Sequence, residues 1–260
     1  FGRRFVTMED FEQAKDKVMM GVERRSMVLT DDQKEKTAYH EAGHAIVGMN
    51  MPKCDPVYKA TIIPRGGALG MVVSLPEMDR LQFHKDEAKQ KIAMTMAGKA
   101  AEIIKYGEEG VSSGPVGYIQ QASSLARAMV MRWGMSDKVG NIDYGEAHDG
   151  YSGSTGGFSV SASTKELIEE EVRTLIDDGY VTARKILLEK ADDFERLAKG
   201  LLEYETLTGD EIRKVIAGEK IGEDDDTPTP PAGNAPSLAT MPKTVKPRTP
   251  KRGLEPEPQA

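Results

Sequence analysis

The stretch Tyr39-His40-Glu41-Ala42-Gly43-His44-Ala45 decides how this chain is read. Side chains four apart on an α-helix share a face, so His40 and His44 can turn both imidazoles toward one point, with the Glu41 carboxylate beside the first. This is the H-E-x-x-H pattern, in which two histidines hold a Zn²⁺ and the glutamate takes a proton from the attacking water. The chemistry it points to is metal-assisted hydrolysis, most often of peptide bonds. Two ordinary hydrogen-bonded helix histidines are the plain alternative.

Working outward, Thr30 and Gln33 make a capping box, so Asp31–Met49 reads as one helix that carries both histidines in its interior and ends before Pro52. Gly43 inside that helix costs about 1 kcal/mol relative to alanine, which implies the close approach of another backbone or of substrate. Residues 57–64 then alternate and are rich in β-branched side chains, Arg65-Gly66-Gly67 interrupts them, and 68–74 resume an extended pattern. A short hairpin or sheet is expected there. Its edge can take up an extended peptide by main-chain hydrogen bonds, with Gly66 and Gly67 either leaving room for that backbone or simply making the turn.

A second long helix is expected over 86–106, stopped by Gly107, and a third over 119 to about 133, stopped by Gly134. Further helices read over 163–190, 191–204 and 210–217, the last opened by a Thr208–Glu211 box. The fold class is therefore mainly α, a helical bundle with a small β-hairpin or sheet. Trp133 is expected in the core, and Arg127 and Arg132 on solvated helix positions. Residues 145–157, rich in Gly, Ser and Tyr and carrying His148, read as an exposed loop.

The two ends differ from this middle. Residues 7–26 read as a helix whose Phe11, Ala14, Val18 and Val22 recur at helical spacing as a packing stripe. Beyond Gly222 lie nine of the fourteen prolines, an acidic run Glu223-Asp224-Asp225-Asp226 and a basic stretch over 243–252. Such a segment buries too little apolar surface to offset its ordering entropy, so 222–260 reads as a disordered tail.

Composition narrows the function further. With 260 residues, 38% hydrophobic and 30% charged, the chain suits one ordinary core. No apolar run approaches the roughly 18 residues a membrane span needs, and a net charge of −7 argues against a nucleic-acid surface. The single Cys54 rules out an internal disulfide and a cysteine zinc cluster, which favours a reducing compartment. There is no Gly-x-x-x-x-Gly-Lys-Ser/Thr loop to bind ATP, and the first residue, Phe1, suggests a piece of a longer protein.

Several motifs recur in order: Thr37-Ala38-Tyr39-His40-Glu41-Ala42-Gly43-His44-Ala45, Ile63-Pro64-Arg65-Gly66-Gly67-Ala68-Leu69-Gly70, Leu75-Pro76-Glu77, Ala97-Gly98-Lys99-Ala100-Ala101-Glu102 and Met129-Val130-Met131-Arg132-Trp133-Gly134-Met135-Ser136. Through them the chain, from about 5 to about 221, resembles the FtsH-type ATP-dependent zinc metalloproteases, membrane-anchored AAA+ enzymes that unfold and degrade proteins. The resemblance implies a zinc peptidase domain over 28–221, preceded over 1–27 by the end of an AAA+ ATPase module. It implies Zn²⁺ held by His40 and His44, Glu41 as the catalytic residue, and ATP bound only by the missing module. It also implies unfolded or membrane protein substrates, a homo-hexamer, and a place on the cytoplasmic face of the bacterial inner membrane through an anchor outside this chain, the piece itself being soluble.

One departure stands out. The family completes its zinc site with an aspartate in a small-residue turn before Ile-Gln-Gln-Ala, and here Ser113-Gly114-Pro115-Val116-Gly117-Tyr118-Ile119 puts Tyr118 there. The third ligand is then open between a Tyr118 phenolate, Glu102, His148 and water, with Glu102 alternatively orienting a ligand from behind. Two outcomes follow: an active zinc endopeptidase, or a pseudoprotease that keeps the fold with a weakened metal site. A metal-free helical binding protein is the third class.

Overall fold

The computed structural model describes residues 6–24, 26–76, 82–144 and 160–221. Helix α1 (Met8–Met20) opens on a reciprocal box between Thr7 and Asp10, and α2 (Asp31–Met49) on the corresponding box between Thr30 and Gln33. Both boxes satisfy N–H groups that a helix start otherwise leaves without partners. Every residue of α2 from Thr37 to Gly48 is buried. It is an interior helix, which explains why its apolar residues form no one-sided stripe.

Strand β1 (Val57–Thr61) and strand β2 (Met71–Ser74) pair antiparallel, with Lys59 opposite Val73 and Thr61 opposite Met71. Helix α3 (Lys85–Tyr106) follows, then a single 3₁₀ turn (Glu108–Gly110) and helix α4 (Val116–Met131). Helices α5 (Ala162–Glu189) and α6 (Ala191–Tyr204), strand β3 (Thr206–Thr208) and helix α7 (Gly209–Ala217) complete the described residues. The sheet order is β2-β1-β3, so β2 is an edge strand.

Two apolar cores share α3. One gathers Ile46 of α2, Leu187 of α5, Leu197 and Leu201 of α6, Leu207 of β3 and Ile212 of α7. The other packs Ile92 and Met96 of α3 against Met129 and Val130 of α4 and Ile168 and Val172 of α5. Each fully buried side chain of this size contributes about 1.5 to 3 kcal/mol. Where α2 meets α3, a Cβ on Gly43 would lie 2.6 Å from Ala101 Cβ and 2.9 Å from the Ala97 carbonyl oxygen. The close approach that Gly43 implies is thus that of the α3 backbone.

The structure corrects several expectations. Helix α4 begins three residues earlier than expected, so Tyr118 sits in its first turn and not in the loop before it; Pro115, with φ of −66°, is already preset for a helix start. Helix α1 stops at Gly21, whose φ of 83° breaks the helix six residues short of the expected end. Its stripe of Phe11, Val18 and Val22 is exposed, not packed. Polar contacts tie α1 to the sheet: the Tyr58 hydroxyl donates to Glu12 at 2.8 Å and Lys59 Nζ pairs with Asp16 at 2.5 Å, while Met20 at its end is buried. Trp133 is 42% exposed and stacks on Phe83 instead of entering the core. The expected loop with His148, the tail over 222–260 and Glu77 lie outside the described residues.

Candidate metal centre

Both candidate ligands owe their orientation to partners far along the chain. His40 Nδ1 donates to Glu102 Oε1 at 2.7 Å, and Glu102 is held in turn by the Ser112 backbone N–H at 2.7 Å and the Ser112 hydroxyl at 3.1 Å. His44 Nδ1 lies 2.8 Å from the Met94 carbonyl oxygen of α3. A carbonyl only accepts, so His44 carries its proton on Nδ1, and the Glu102 carboxylate fixes the same tautomer for neutral His40. Each Nε2 is left with a bare lone pair. These two nitrogens face one another at 3.1 Å, as two lone pairs when His40 is neutral and through a His40 Nε2–H donated to His44 Nε2 when His40 is protonated.

Two lone pairs converging in a buried place are unfavourable unless a proton or a metal cation lies between them, and at neutral to alkaline pH a metal can take the proton's place. At zinc–nitrogen distances of about 2.0 to 2.1 Å and a tetrahedral angle, two ligand nitrogens sit about 3.3 Å apart. The observed spacing fits. Gly98 of α3 provides the space: a Cβ there would collide with Nε2 of both histidines. Gly98→Ala is therefore expected to lower zinc affinity by at least about 100-fold, the penalty seen when a site's supporting groups are disturbed, with helix content by circular dichroism unchanged. Wild-type zinc content in that variant would contradict the assignment of this space.

Glu41 is buried beside His40, and its Oε2 has no hydrogen-bond partner among the described residues. Burial raises its pKa to about 7, against an opposing pull from His40. Gly70, just before β2, presses on it, for a Cβ at that position would lie 2.8 Å from Glu41 Cγ. For His44, burial first and then the charge of His40 push the pKa down to about 3. For His40, burial pulls downward but is outweighed by the Glu102 hydrogen bond and the charges of Glu41 and Glu102, so the net shift is upward from 6.5.

These shifts set a pH dependence. Protons compete with zinc at His40 but not at His44, so below the His40 pKa the apparent Kd should rise about tenfold per pH unit. The break lies above pH 6.5. Chelator competition between pH 8 and 5 measures it, and a hundredfold rise per unit would mean that both histidines titrate.

Tyr118 occupies the side of the centre where a third ligand is expected. Its ring centroid is 4.1 Å from that of His44 and 5.5 Å from that of His40. Burial, and after it the negative charge of Glu41, hold the phenol well above its ordinary pKa. Glu102 lies behind His40, on its Nδ1 edge and away from the Nε2 atoms. Among the described residues, no group of three or more His, Cys, Asp or Glu side chains is arranged to hold a metal ion. The centre opens on a cleft of about 990 Å³ walled by the start of α2, residues 67–71, residues 112–114 and the first turn of α4.

The roles of Met94, Gly98 and Ser112 were missed by sequence reasoning. Gly43 pointed to a close neighbour without naming it, and the small-residue run Ala97-Gly98-Lys99-Ala100-Ala101 is the signal that could have identified α3 as that neighbour.

An H-E-x-x-H helix whose two imidazoles converge beside a buried carboxylate defines a metallohydrolase-type centre. Residues 27–215 match peptidase family M41, and the chain belongs to that family. It is 51% identical over 220 residues to an ATP-dependent zinc metalloprotease FtsH of Caulobacter vibrioides, an alignment covering 83% of this chain and 35% of that protein. To the protein of the same name from Rickettsia bellii it is 48% identical, covering 88% and 36%, and to that from Haemophilus influenzae 43% identical, covering 89% and 36%. The chain spans about a third of the length of these relatives.

Proposed function

We propose that this chain is the zinc-dependent endopeptidase module of a membrane-anchored, ATP-dependent protease that degrades unfolded or membrane proteins. The observation that carries the reading is the pair of Nε2 atoms 3.1 Å apart, each ring's Nδ1 engaged by an acceptor, beside a Glu41 carboxylate oxygen that has no partner among the described residues. A Zn²⁺ held by His40 and His44 would supply a Lewis acid that polarises the scissile carbonyl.

The chain's own groups do the rest. Glu41, with a pKa near 7, accepts a proton from the attacking water and passes it to the leaving amine. Glu102 and the Met94 carbonyl keep both imidazoles in the tautomer that leaves Nε2 free. The outer edge of β2 lies beside the cleft and can align an extended substrate by main-chain hydrogen bonds.

The relatives' names support ATP dependence for the longer protein. Unfolded chains as substrates and a homo-hexameric ring as the assembly belong to the same proposal. Among the described residues no helix is long and apolar enough to cross a membrane; membrane anchoring is part of the proposal for the longer protein. The test is zinc content after dialysis together with casein cleavage. A stoichiometric zinc and chelator-sensitive cleavage are expected, and a chain that retains no zinc overturns the reading.

Tyr118 supports a second reading. A phenol ring packed on both imidazoles, where the family's aspartate is expected, favours a pseudoprotease that keeps the fold but binds zinc weakly.

A further inference from the structure

The cleft wall over 67–71 has few supports of its own. Residues 65–68 form a tight turn, closed by the Arg65 N–H to the Ala68 carbonyl and by the Ala68 N–H to the Arg65 carbonyl, both at 3.0 Å. The sheet ladder resumes only at Met71. Among the described residues, further hydrogen bonds to the turn come from the segment after α1. The Arg24 N–H donates to the Pro64 carbonyl at 2.8 Å, and Arg24 Nη1 donates to the Gly66 carbonyl at 2.9 Å. Arg65, itself buried, donates from Nη2 to Glu23 Oε1 at 2.5 Å and from Nη1 to the Gly21 carbonyl at 3.2 Å. An isolated backbone bridge joins the same two residues, Glu23 and Arg65.

The consequence reaches the centre through Gly70. At that position the backbone runs so close to α2 that a Cβ would lie 2.6 Å from Thr37 Cγ2 and 2.9 Å from Glu41 Oε1. A turn that shifts carries the 67–71 wall with it, against Glu41 and along the edge where a polypeptide would lie.

We propose that Arg65 and Glu23 form a clasp that fixes the 67–71 wall over Glu41 and so positions polypeptide in the cleft, which rests on the endopeptidase reading for the identity of that ligand. The Arg65 side chain bonds to Glu23 and the Gly21 carbonyl, and Arg65 is not among the residues that line the cleft; it is a positioning residue. A planar guanidinium fork suits the task because it grips a carboxylate and a carbonyl at once. Since the partners of the fork lie in the segment that follows α1, a movement of α1 is carried directly to the cleft wall.

The test uses Glu23→Gln, whose half-exposed site puts folding at little risk, beside Arg65→Lys and the wild type. Hydrogen exchange of the 67–71 amides, zinc content, and the binding of fluorescently labelled unfolded casein are measured, with KM and kcat for its cleavage. The clasp predicts exchange about tenfold faster over 67–71 and casein binding about tenfold weaker in Glu23→Gln, the effect of losing one charged hydrogen bond. Zinc content and kcat should hold while KM rises, with Arg65→Lys falling between. Unchanged exchange over 67–71, or a fall in kcat at constant KM, overturns the clasp. A wild-type chain that cleaves nothing sinks the endopeptidase reading instead, and exchange and casein binding still decide the clasp.

Discussion

Glu41→Gln should abolish casein cleavage, with a loss of about 100-fold to 10,000-fold, while zinc content stays at the wild-type level. The amide keeps the shape of the side chain in a space closed by Gly70, so packing offers no reason for the loss. Stability supplies an independent check. Burial raises the folded-state pKa of Glu41 from 4.5 to about 7, so in the metal-free protein its ionisation opposes folding. The sign is that of a raised carboxylate: the penalty is absent below pH 4.5, grows as pH rises, and is complete above about 7. A shift of that size corresponds to roughly 3 kcal/mol, at about 1.4 kcal/mol per pKa unit. Metal-free Glu41→Gln should therefore melt higher than metal-free wild type at pH 8 and equally at pH 4. An inactive variant that is also the more stable one cannot owe its inactivity to misfolding. Residual cleavage above about a tenth of wild type would show that Glu41 is not the base.

What the sequence made legible here is local. The start of α2 follows from Thr30 and Gln33, and that of α7 from Thr208 and Glu211, because such caps are written within four residues of each other. His40 and His44 share a face by spacing alone. The groups that orient them are 62 and 50 residues away, at Glu102 and Met94, and the Met94 contribution is a backbone carbonyl that no side-chain pattern reveals. Strand β3 was invisible for another reason: three residues are too few to display alternation, and Thr206–Thr208 is a strand only because β1 offers it a partner. Apolar spacing in α1 identified a real stripe but not its fate, since periodicity says which residues share a face and not what covers them. The start of α4 is hard to place from sequence because Pro115 suits both a turn and the first step of a helix.

That early start of α4 makes Tyr118→Asp the most informative substitution in the chain. In the first turn of a helix the position is fixed against α2, as the 4.1 Å separation of the Tyr118 and His44 rings attests. A carboxylate there is shorter than a phenol and ionised at neutral pH, and it meets the two Nε2 lone pairs as a third donor. Tyr118→Asp should tighten zinc binding by about 10-fold to 100-fold, the scale on which changes around a metal site act. Casein cleavage should rise with it. Tyr118→Phe separates the two ways the tyrosine can matter. If its oxygen assists the metal, the phenylalanine variant binds zinc more weakly than wild type; if the ring only packs on the imidazoles, the two are equal. Should Tyr118→Asp change neither zinc affinity nor cleavage, the third donor comes from elsewhere, and the departure at this position has no bearing on the chemistry of the centre.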